Sequence, residues 1–406
     1  MKEYDVVIVG AGPSGASAAI SSSKYGLRTL IVEKRREVGV PVQCGEYMPC
    51  EDEVKRMFPK SKHIKNLVKL TKMFKVNKLN FVRFLTCSGN TFNVRYSAYV
   101  INREMFDKEL IKIAKDNGCK VLLETSAVSV SLRKSKLALR MKNSSDFVSF
   151  KVLILAEGAN QSIVKSIGLE ATSNEDKAIT IQNVMSELSI DEDVCEMYWD
   201  SNISPGCYAW IIPKGNGLAN VGLGVRKKFE KDSNDLREYL NRFINNHNIA
   251  SNKLKNGKVL STVGGIVPVG GPIPKTYCKN AMVVGDAAGQ VAAHVGGGVP
   301  SGIICGEIAG EVSYLHVKDR ISLREYEKIW KKELGEILEN CIILRRIGDL
   351  FIANDKLIDL ALNAVGEKGL GRLIRGELPK ELKFILSKAV DTGQAINKLQ
   401  RVFDSL

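Results

Sequence analysis

The sequence predicts an α/β (α+β) fold: a Rossmann-like dinucleotide-binding domain, an antiparallel sheet inserted into it, and a helical C-terminal region. Three observations predict it. The chain opens on a strand, glycine loop, helix, strand unit over residues 4–33. Alternating, Gly- and Pro-punctuated β-patterns fill residues 179–274, and from Gly302 onward apolar residues recur at helical spacing. With 406 residues the chain is long enough for two or three units with sizeable cores. The expected boundaries are 1–70, 100–175 and 275–325 for the dinucleotide-binding domain, 71–99 and 176–274 for the β-rich domain, and 326–406 for the helical region.

Taken in order, Tyr4–Val9 is a continuous apolar run of the kind buried in a parallel sheet. Ala11–Tyr25 reads as a glycine turn and an Ala/Ser-rich helix, and Arg28–Val32 as a second strand ending at Glu33. Lys34–Pro49, with Gly39, Pro41, Gly45 and Pro49, reads as loop. Arg103–Asn117 is a helix stopped by Gly118. Lys120–Leu123, Ala127–Arg133, Lys136–Met141 and Phe147–Ala156 read as strands. Ile179–Val225 is β-rich, Val259–Pro274 is apolar with Gly and Pro punctuation, and Ala281–Val284 is a short buried strand. The strands near 70–100 and 180–270 are expected to share a second sheet. Leu323–Ile347 and Lys380–Phe403 are amphipathic helical segments.

Composition narrows the class. Hydrophobic residues make up 44% and charged residues 26%, which excludes a disordered or collagen-like chain. The charge-free stretch Ala287–Gly306 is long enough to span a bilayer, but its six glycines and one proline make it a loop and a helix start. Nine cysteines without a CxxC pair argue against a disulfide scaffold and against a structural zinc, so no metal is expected. No signal-peptide pattern precedes the first strand, so a cytoplasmic location is expected. The net charge is +14, and residues 54–103 hold 12 Lys or Arg with no Asp or Glu. Such a surface attracts phosphorylated lipid, an anionic membrane face, an acidic protein or nucleic acid. The stretch contains no recognisable nucleic-acid module, so no nucleic-acid partner is expected.

The motif that carries chemistry first is "VVIVGAGPSGASAA", with Gly10, Gly12 and Gly15 as G-x-G-x-x-G between a strand and a helix. Gly10 permits the tight turn, Gly12 lets backbone approach a pyrophosphate at the helix N-terminus, and Gly15 lets the helix pack on the sheet. Glu33 follows Gly15 by 18 residues, where a carboxylate accepts the ribose hydroxyls of an adenosine and disfavours a 2′-phosphate.

Three further stretches resemble FAD flavoproteins of the para-hydroxybenzoate hydroxylase type. "VINREMFDKEL" places Arg103 at a helix start, "VLILAEGANQ" matches that family's D-G segment with Glu157 for Asp, and "AMVVGDAAGQ" ends a strand at Asp286. The following "AHVGGGVPSGI" supplies Gly296, Gly297 and Gly298 at a helix N-terminus. The resemblance implies FAD, with Arg103, Asp286, Gly297, Gly298 and Val299 among its contacts. Backbone amides of Gly298 and Val299 would stabilise negative charge on a reduced flavin ring. No second G-x-G-x-x-G unit is found, which disfavours a glutathione-reductase-like enzyme with a separate NAD domain.

A narrower resemblance rests on "PVQCGE" (Pro41, Val42, Cys44, Gly45, Glu46) and on "YAWIIPKGNGLANVGLG" (Tyr208, Trp210, Pro213, Gly222, Gly224). Both are similar to the geranylgeranyl reductase family, particularly the archaeal enzymes that saturate the isoprenoid chains of ether lipids. Ile212 stands where that family has Phe, and Tyr47 and the missing Pro before the glycine triplet are further departures. The resemblance implies Ser14, Lys34, Cys44, Gly45, Tyr47 and Ala127 as further cofactor contacts, and Tyr208, Trp210, Pro213 and Gly222 as substrate contacts. It implies hydride transfer from reduced FAD to a C=C bond, with Cys44 as the candidate proton donor and His294, beside the glycine triplet, as a second. The implied partners are a prenylated lipid, an electron donor (ferredoxin or NAD(P)H), and the cytoplasmic membrane face. Two other readings stay open: an FAD monooxygenase using NAD(P)H and O2, and a lipid-binding or electron-carrying flavoprotein without catalysis.

Overall fold

The computed structural model describes residues 2–230 and 235–378; the expected helix at Lys380–Phe403 lies outside the described residues. Two eight-stranded sheets organise the chain. The first runs Tyr277–Cys278, Ala281–Val283, Ser145–Leu155, Lys2–Val9, Thr29–Val32, Lys120–Leu122 from edge to edge. Its central pairs are parallel, Val6 lying opposite both Thr29 and Val152. Parallel strands need crossover helices on the faces, and this explains the near-continuous apolar runs. Val6, Val7 and Ile8 are fully buried, as are Leu153, Ile154 and Leu155. A hairpin of Ser126–Ser131 and Lys136–Arg140 extends Ser145–Leu155 antiparallel.

The helix Pro13–Lys24 packs against the helix Val299–Asp319, and small residues make the approach possible. A Cβ on Gly306 would stand 2.2 Å from the Ser14 carbonyl, and one on Gly310 would stand 2.4 Å from Ser21 Cβ. Two hydrogen bonds seal the contact, from Ser17 Oγ to the Ile303 carbonyl and from Ser21 Oγ to the Glu307 carbonyl. The glycine loop and the glycine triplet, nearly 300 residues apart in sequence, are thereby brought to one cavity, the loop lying at the carboxyl end of the central strand Lys2–Val9.

The second sheet runs Lys258–Pro268, Lys177–Ser186, Leu218–Val225, Ala209–Gly215, Val194–Trp199, Lys75–Thr86, Thr91–Ile101, Tyr47–Pro49. Two expectations are corrected here. Residues 47–49 were expected to be loop but form an edge strand, with Tyr47 opposite Val100. The sheet was expected to be antiparallel but is mixed, because Val194–Trp199 pairs parallel with Lys75–Thr86. A parallel pair needs a long connection, and the chain supplies one by returning through the first sheet between these strands. Pro213, which cannot donate to a ladder, sits at a register shift where the Ala209–Gly215 strand outruns its Val194–Trp199 neighbour.

The segment 323–347 is helical as expected, with a π turn at Lys331–Gly335 between Arg324–Trp330 and Glu336–Gly348. Tyr326, Trp330, Leu334 and Leu338 of this segment join the core of the first sheet, whereas Asp355–Leu373 packs on the second sheet, where Leu370 and Ile374 join the core formed by Phe84, Val94 and Tyr96. Among the described residues no helix is long and apolar enough to cross a membrane.

Candidate active site

One cavity of about 2070 Å³ lies between the two sheets, lined at one end by the glycine loop and at the other by aromatic residues of the second sheet. At the first end, Gly10 adopts φ +106°, and a Cβ there would meet the Ala156 carbonyl at 2.3 Å. Only glycine tolerates both constraints. Gly12 instead faces open space, with no atom within 4 Å of where its Cβ would stand. It lies at the N-terminus of Pro13–Lys24, where amide groups and the helix dipole favour a pyrophosphate. Glu33 is buried; its two carboxylate oxygens accept the Ala11 N–H at 2.8 Å and the Arg35 N–H at 2.9 Å, so its position is fixed in advance. Ser14, Lys34 and Ala127 also line this end. Gly15 does not: a Cβ on it would be 2.0 Å from the Gly10 carbonyl, so its part is packing alone.

Further along, Arg103 is buried and paired twice with Asp107, Nε to Oδ1 and Nη2 to Oδ2, both at 3.1 Å. Burial alone would lower its pKa; Asp107 and Cys44 outweigh that and raise it. Burial pushes the Asp286 carboxyl up to about 6, against the opposing pull of Arg103. Gly298 is held under this carboxylate, since a Cβ there would stand 2.7 Å from Asp286 Oδ1. Gly297, Gly298 and Val299 line the cavity at the start of Val299–Asp319. Glu157, the D-G counterpart, lines the cavity but uses its carboxylate to cap Ser162–Ser166, accepting the Ile163 and Val164 N–H groups at 3.1 and 2.8 Å.

The Cys44 loop joins the two ends. Cys44 Sγ accepts the Glu46 N–H at 3.2 Å, and the Cys44 carbonyl accepts Gln182 Nε2 at 3.1 Å. The Oε1 of the same Gln182 accepts Trp210 Nε1 at 3.0 Å, so one amide couples the loop to the aromatic wall. Glu46 has φ +62°, a left-handed conformation that costs a non-glycine residue about 1–3 kcal/mol. Its buried carboxylate accepts the Arg103 N–H at 3.2 Å and Asn220 Nδ2 at 2.9 Å, and is ion-paired to Lys214 Nζ. Sequence reasoning noticed Glu46 only as a motif letter and missed Gln182, Lys214 and Asn220; no spacing connects them.

At the far end, Tyr208 donates its hydroxyl to the Val295 carbonyl at 2.8 Å and meets Trp210 edge-on at 6.0 Å, while Phe84 stacks on Trp199 at 5.1 Å. Tyr208 and Trp210 line the cavity; Pro213 and Gly222, expected beside them, do not. Gly222 acts from behind, because a Cβ on it would lie 2.5 Å from the Trp210 ring. Tyr47 lines the cavity with its buried hydroxyl unpartnered, and burial raises its pKa well above the usual phenol range. His294 also lines the cavity, and burial pushes its pKa down to about 4, with the nearby backbone of Leu373 and Ile374 opposing only in part. Burial therefore disfavours an imidazolium at His294, which lies against the Leu373 and Ile374 backbone and not against a carboxylate.

The residues present fit FAD: an anion cradle at Gly12–Ser14, a ribose acceptor at Glu33, Arg103 and Asp286 in the middle, and backbone amides at Gly298–Val299. Fold and site together define an FAD-dependent oxidoreductase. Residues 176–267 match the geranylgeranyl reductase catalytic domain, and residues 4–193 match the pyridine nucleotide-disulphide oxidoreductase model. The chain is 34% identical over 397 residues, 95% of each chain, to a digeranylgeranylglycerophospholipid reductase from Methanocaldococcus jannaschii. It is 32% identical over 395 residues, 94% of this chain and 96% of the other, to one from Methanothermobacter thermautotrophicus. A crystal structure of a geranylgeranyl bacteriochlorophyll reductase-like protein from Thermoplasma acidophilum superposes with a TM-score of 0.80 at 29% identity, covering 98% of this chain and all of that one. The chain belongs to the geranylgeranyl reductase family. Flavin-dependent halogenases such as the brominase Bmp2 share the fold at 16% identity.

Proposed function

We propose that this protein saturates the C=C bonds of geranylgeranyl chains in archaeal membrane-lipid precursors, digeranylgeranylglycerophospholipid first and geranylgeranyl diphosphate second. The observation that carries the reading is the single cavity joining a dinucleotide cradle to a wall of Phe84, Trp199, Tyr208 and Trp210. When bound, reduced FAD supplies the hydride that one alkene carbon receives. The chain's own residues do the rest. The aromatic wall holds an apolar chain and excludes water, which keeps the hydride from side reactions. Gln182 sets the Trp210 indole and the Cys44 backbone relative to one another. Cys44 holds a proton at Sγ on the cavity wall and delivers it to the second alkene carbon.

Reducing equivalents come from ferredoxin or NAD(P)H, and the protein works at the cytoplasmic face of the membrane. The net charge of +14 supports that placement, as do Met73 and Val76, exposed among Lys69, Lys72 and Lys75. The test is anaerobic: reduce the flavoprotein with dithionite, add a geranylgeranyl lipid, and follow product mass with flavin reoxidation. The expected mass gain is about two units per double bond, coupled to reoxidation. Cys44→Ser is expected to keep FAD and lose most turnover; wild-type rates in that variant remove Cys44 from the mechanism. Reduced protein that ignores the lipid but consumes oxygen with an aromatic substrate moves the case to a monooxygenase.

A further inference from the structure

The helix Asp355–Leu373 is two segments joined at Gly366. That residue has φ +62° and ψ 175°, a backbone conformation open to glycine almost alone. Nothing stands within 4 Å of where its Cβ would be, so the glycine serves the bend in the backbone and not close packing. At its other end the first segment follows the turns at 349–353, which link it to Glu336–Gly348. Residues 355–365 therefore have a non-helical joint on each side.

The two segments are held differently. Beyond Gly366, Leu370, Gly371, Ile374 and Arg375 are buried, and the Arg375 guanidinium grips both oxygens of the Glu53 carboxylate at 2.5 and 2.6 Å. Before Gly366, only Ile358 among the 11 residues is buried. The attachments there are polar: Asp355 accepts the Ser201 N–H at 2.9 Å and its hydroxyl at 3.1 Å, and Asp359 accepts Asn90 Nδ2 at 3.0 Å. A segment with few buried apolar contacts is the first to open.

The inner face of this segment is cavity wall. Leu357, Leu360, Ala361, Leu362, Ala364 and Val365 line the cavity, yet Leu360 is 64% and Val365 38% exposed. Side chains that are wall and surface at once mark a mouth. The exposed lining at Lys34, Pro41 and Gln43 belongs to the cofactor end instead. Leu362 packs on the cluster that holds Phe84 and Trp199, so this mouth leads to the aromatic wall. Apolar side chains kept in water at such a place are costly, and they suit the passage of an apolar chain.

We propose that residues 355–365 are a gate, pivoting at Gly366, through which an apolar chain enters and leaves the cavity. The inference rests on the prenyl reductase reading and adds to it the chain's way in. Opening breaks the Asp355 and Asp359 contacts and lifts Ile358 and Leu362, while the segment beyond Gly366 stays clamped to Glu53.

The experiment uses FAD-loaded, oxidised protein, so that binding is read without turnover. Association and dissociation rates of geranylgeraniol, and of oleyl alcohol as an unbranched chain, are followed by stopped-flow fluorescence of Trp199 and Trp210, which line the cavity. Asp355→Cys sets a second thiol against Cys87, whose own thiol is hydrogen-bonded to Asp355. Oxidation by diamide joins the two sulfurs and fastens the gate. The fastened protein is expected to lower both rates for both alcohols by about tenfold or more with little change in their ratio, because a gate alters access and not affinity. A thiol reductant should restore the rates, and Cys87→Ser in the same background should abolish the response to diamide. Gly366→Ala penalises the bend and Asp359→Ala frees the helix from Asn90; both should raise the two rates by about threefold or more. These two variants decide the matter alone if no disulfide forms. Rates indifferent to the disulfide, or slowed in both loosened variants, overturn the proposal. Rates that obey the disulfide, with no geranylgeranyl chain reduced by the unfastened, dithionite-reduced protein, keep the gate and overturn the prenyl reductase reading instead. Wild type that takes up neither alcohol overturns both.

Discussion

Replacing Glu46 by Gln tests the coupling of the Cys44 loop to the second sheet. The buried carboxylate accepts the Arg103 N–H and Asn220 Nδ2 and carries the charge opposite Lys214. A glutamine of the same shape keeps one acceptor, which can stay on the Arg103 N–H. Its NH2 then faces Asn220 Nδ2 and Lys214 Nζ, both donors. Breaking one side of a buried pair costs about 3–5 kcal/mol. Lys214 is 22% exposed and can partly rehydrate, so the lower end applies, about 3 kcal/mol. A chain of this size melts about 2 °C lower per kcal/mol, which gives a fall of about 6 °C. The left-handed backbone at Glu46 loses its anchor at the same time, so turnover should drop more than lipid affinity does. The assay is thermal unfolding of the FAD-loaded protein, paired with anaerobic lipid reduction. The double variant Glu46→Gln/Lys214→Met, which removes both charges, should recover part of the melting temperature, because the isolated lysine is the main cost. A shift under about 1 °C in the single variant, or a double variant no better than the sum of the singles, refutes the reasoning.

Three other outcomes are expected. Asp286 has a folded pKa of about 6 against 3.8 for an ordinary aspartate, so its contribution is fully present below the unfolded value and is lost as pH rises through 6. FAD-free protein should lose roughly 3 kcal/mol between pH 4 and 7 through this group, and Asp286→Asn should flatten that slope in urea titrations. For His63, burial acts to lower the pKa, but hydrogen bonds to Glu311 and Glu333 outweigh it and raise the group to about 10, so its stabilisation is full below pH 6.5 and disappears as pH climbs through 10; a wild-type melting temperature that falls over this window, and a smaller fall in His63→Gln, would be the signature in calorimetry. Gly222→Ala places a methyl 2.5 Å from the Trp210 ring and 2.7 Å from the Ile181 carbonyl, and overpacking of this kind costs about 1–3 kcal/mol; displacing the indole from Gln182 should quench or shift Trp fluorescence and raise the lipid KM.

What was legible in the sequence was what the chain makes contiguously. Gly10, Gly12 and Glu33 belong to one strand–helix–strand unit, so their spacing alone specifies the cradle. Trp210 lies in the strand Ala209–Gly215 and Tyr208 just before it, two residues apart, and both line the cavity, as period-two geometry favours. Pro213 and Gly222 do not line the cavity for different reasons: Pro213 lies three residues along from Trp210, on the other face by alternation, while Gly222 lies opposite Trp210 and is covered by its indole. The parallel pairing of 194–199 with 75–86 was hidden because it depends on a crossover through the other sheet. Glu46 meets Lys214 and Asn220 across 168 and 174 residues, and Gln182 meets Cys44 across 138. Contacts of that separation leave no local periodicity to read.

Charge shows the same limit in a sharper form. Six of the twelve bases in 54–103 are neutralised by acids: Lys55 and Lys72 by Glu51, Arg56 by Glu377, Lys60 by Glu336, Arg83 by Asp191 and Glu196, and Arg103 by Asp107. The other six, Lys62, Lys65, Lys69, Lys75, Lys78 and Arg95, are exposed. A density of positive charge along the chain therefore becomes partly a set of ion pairs, two of which, Arg56 with Glu377 and Lys60 with Glu336, reach the C-terminal region, and partly a solvated face. Of the twelve bases only Arg103 lines the cavity. Arg226 and Arg345, which do line the cavity, are buried and paired with Asp349, Arg226 opening an Arg-Lys-Lys run and Arg345 an Arg-Arg pair. Exposed charges are screened within about 8 Å at physiological salt, whereas a pair behind a protein wall is not. The solvated face suits delivery of the protein to an anionic surface, whereas the buried pair holds Asp349 and the elements around it in place.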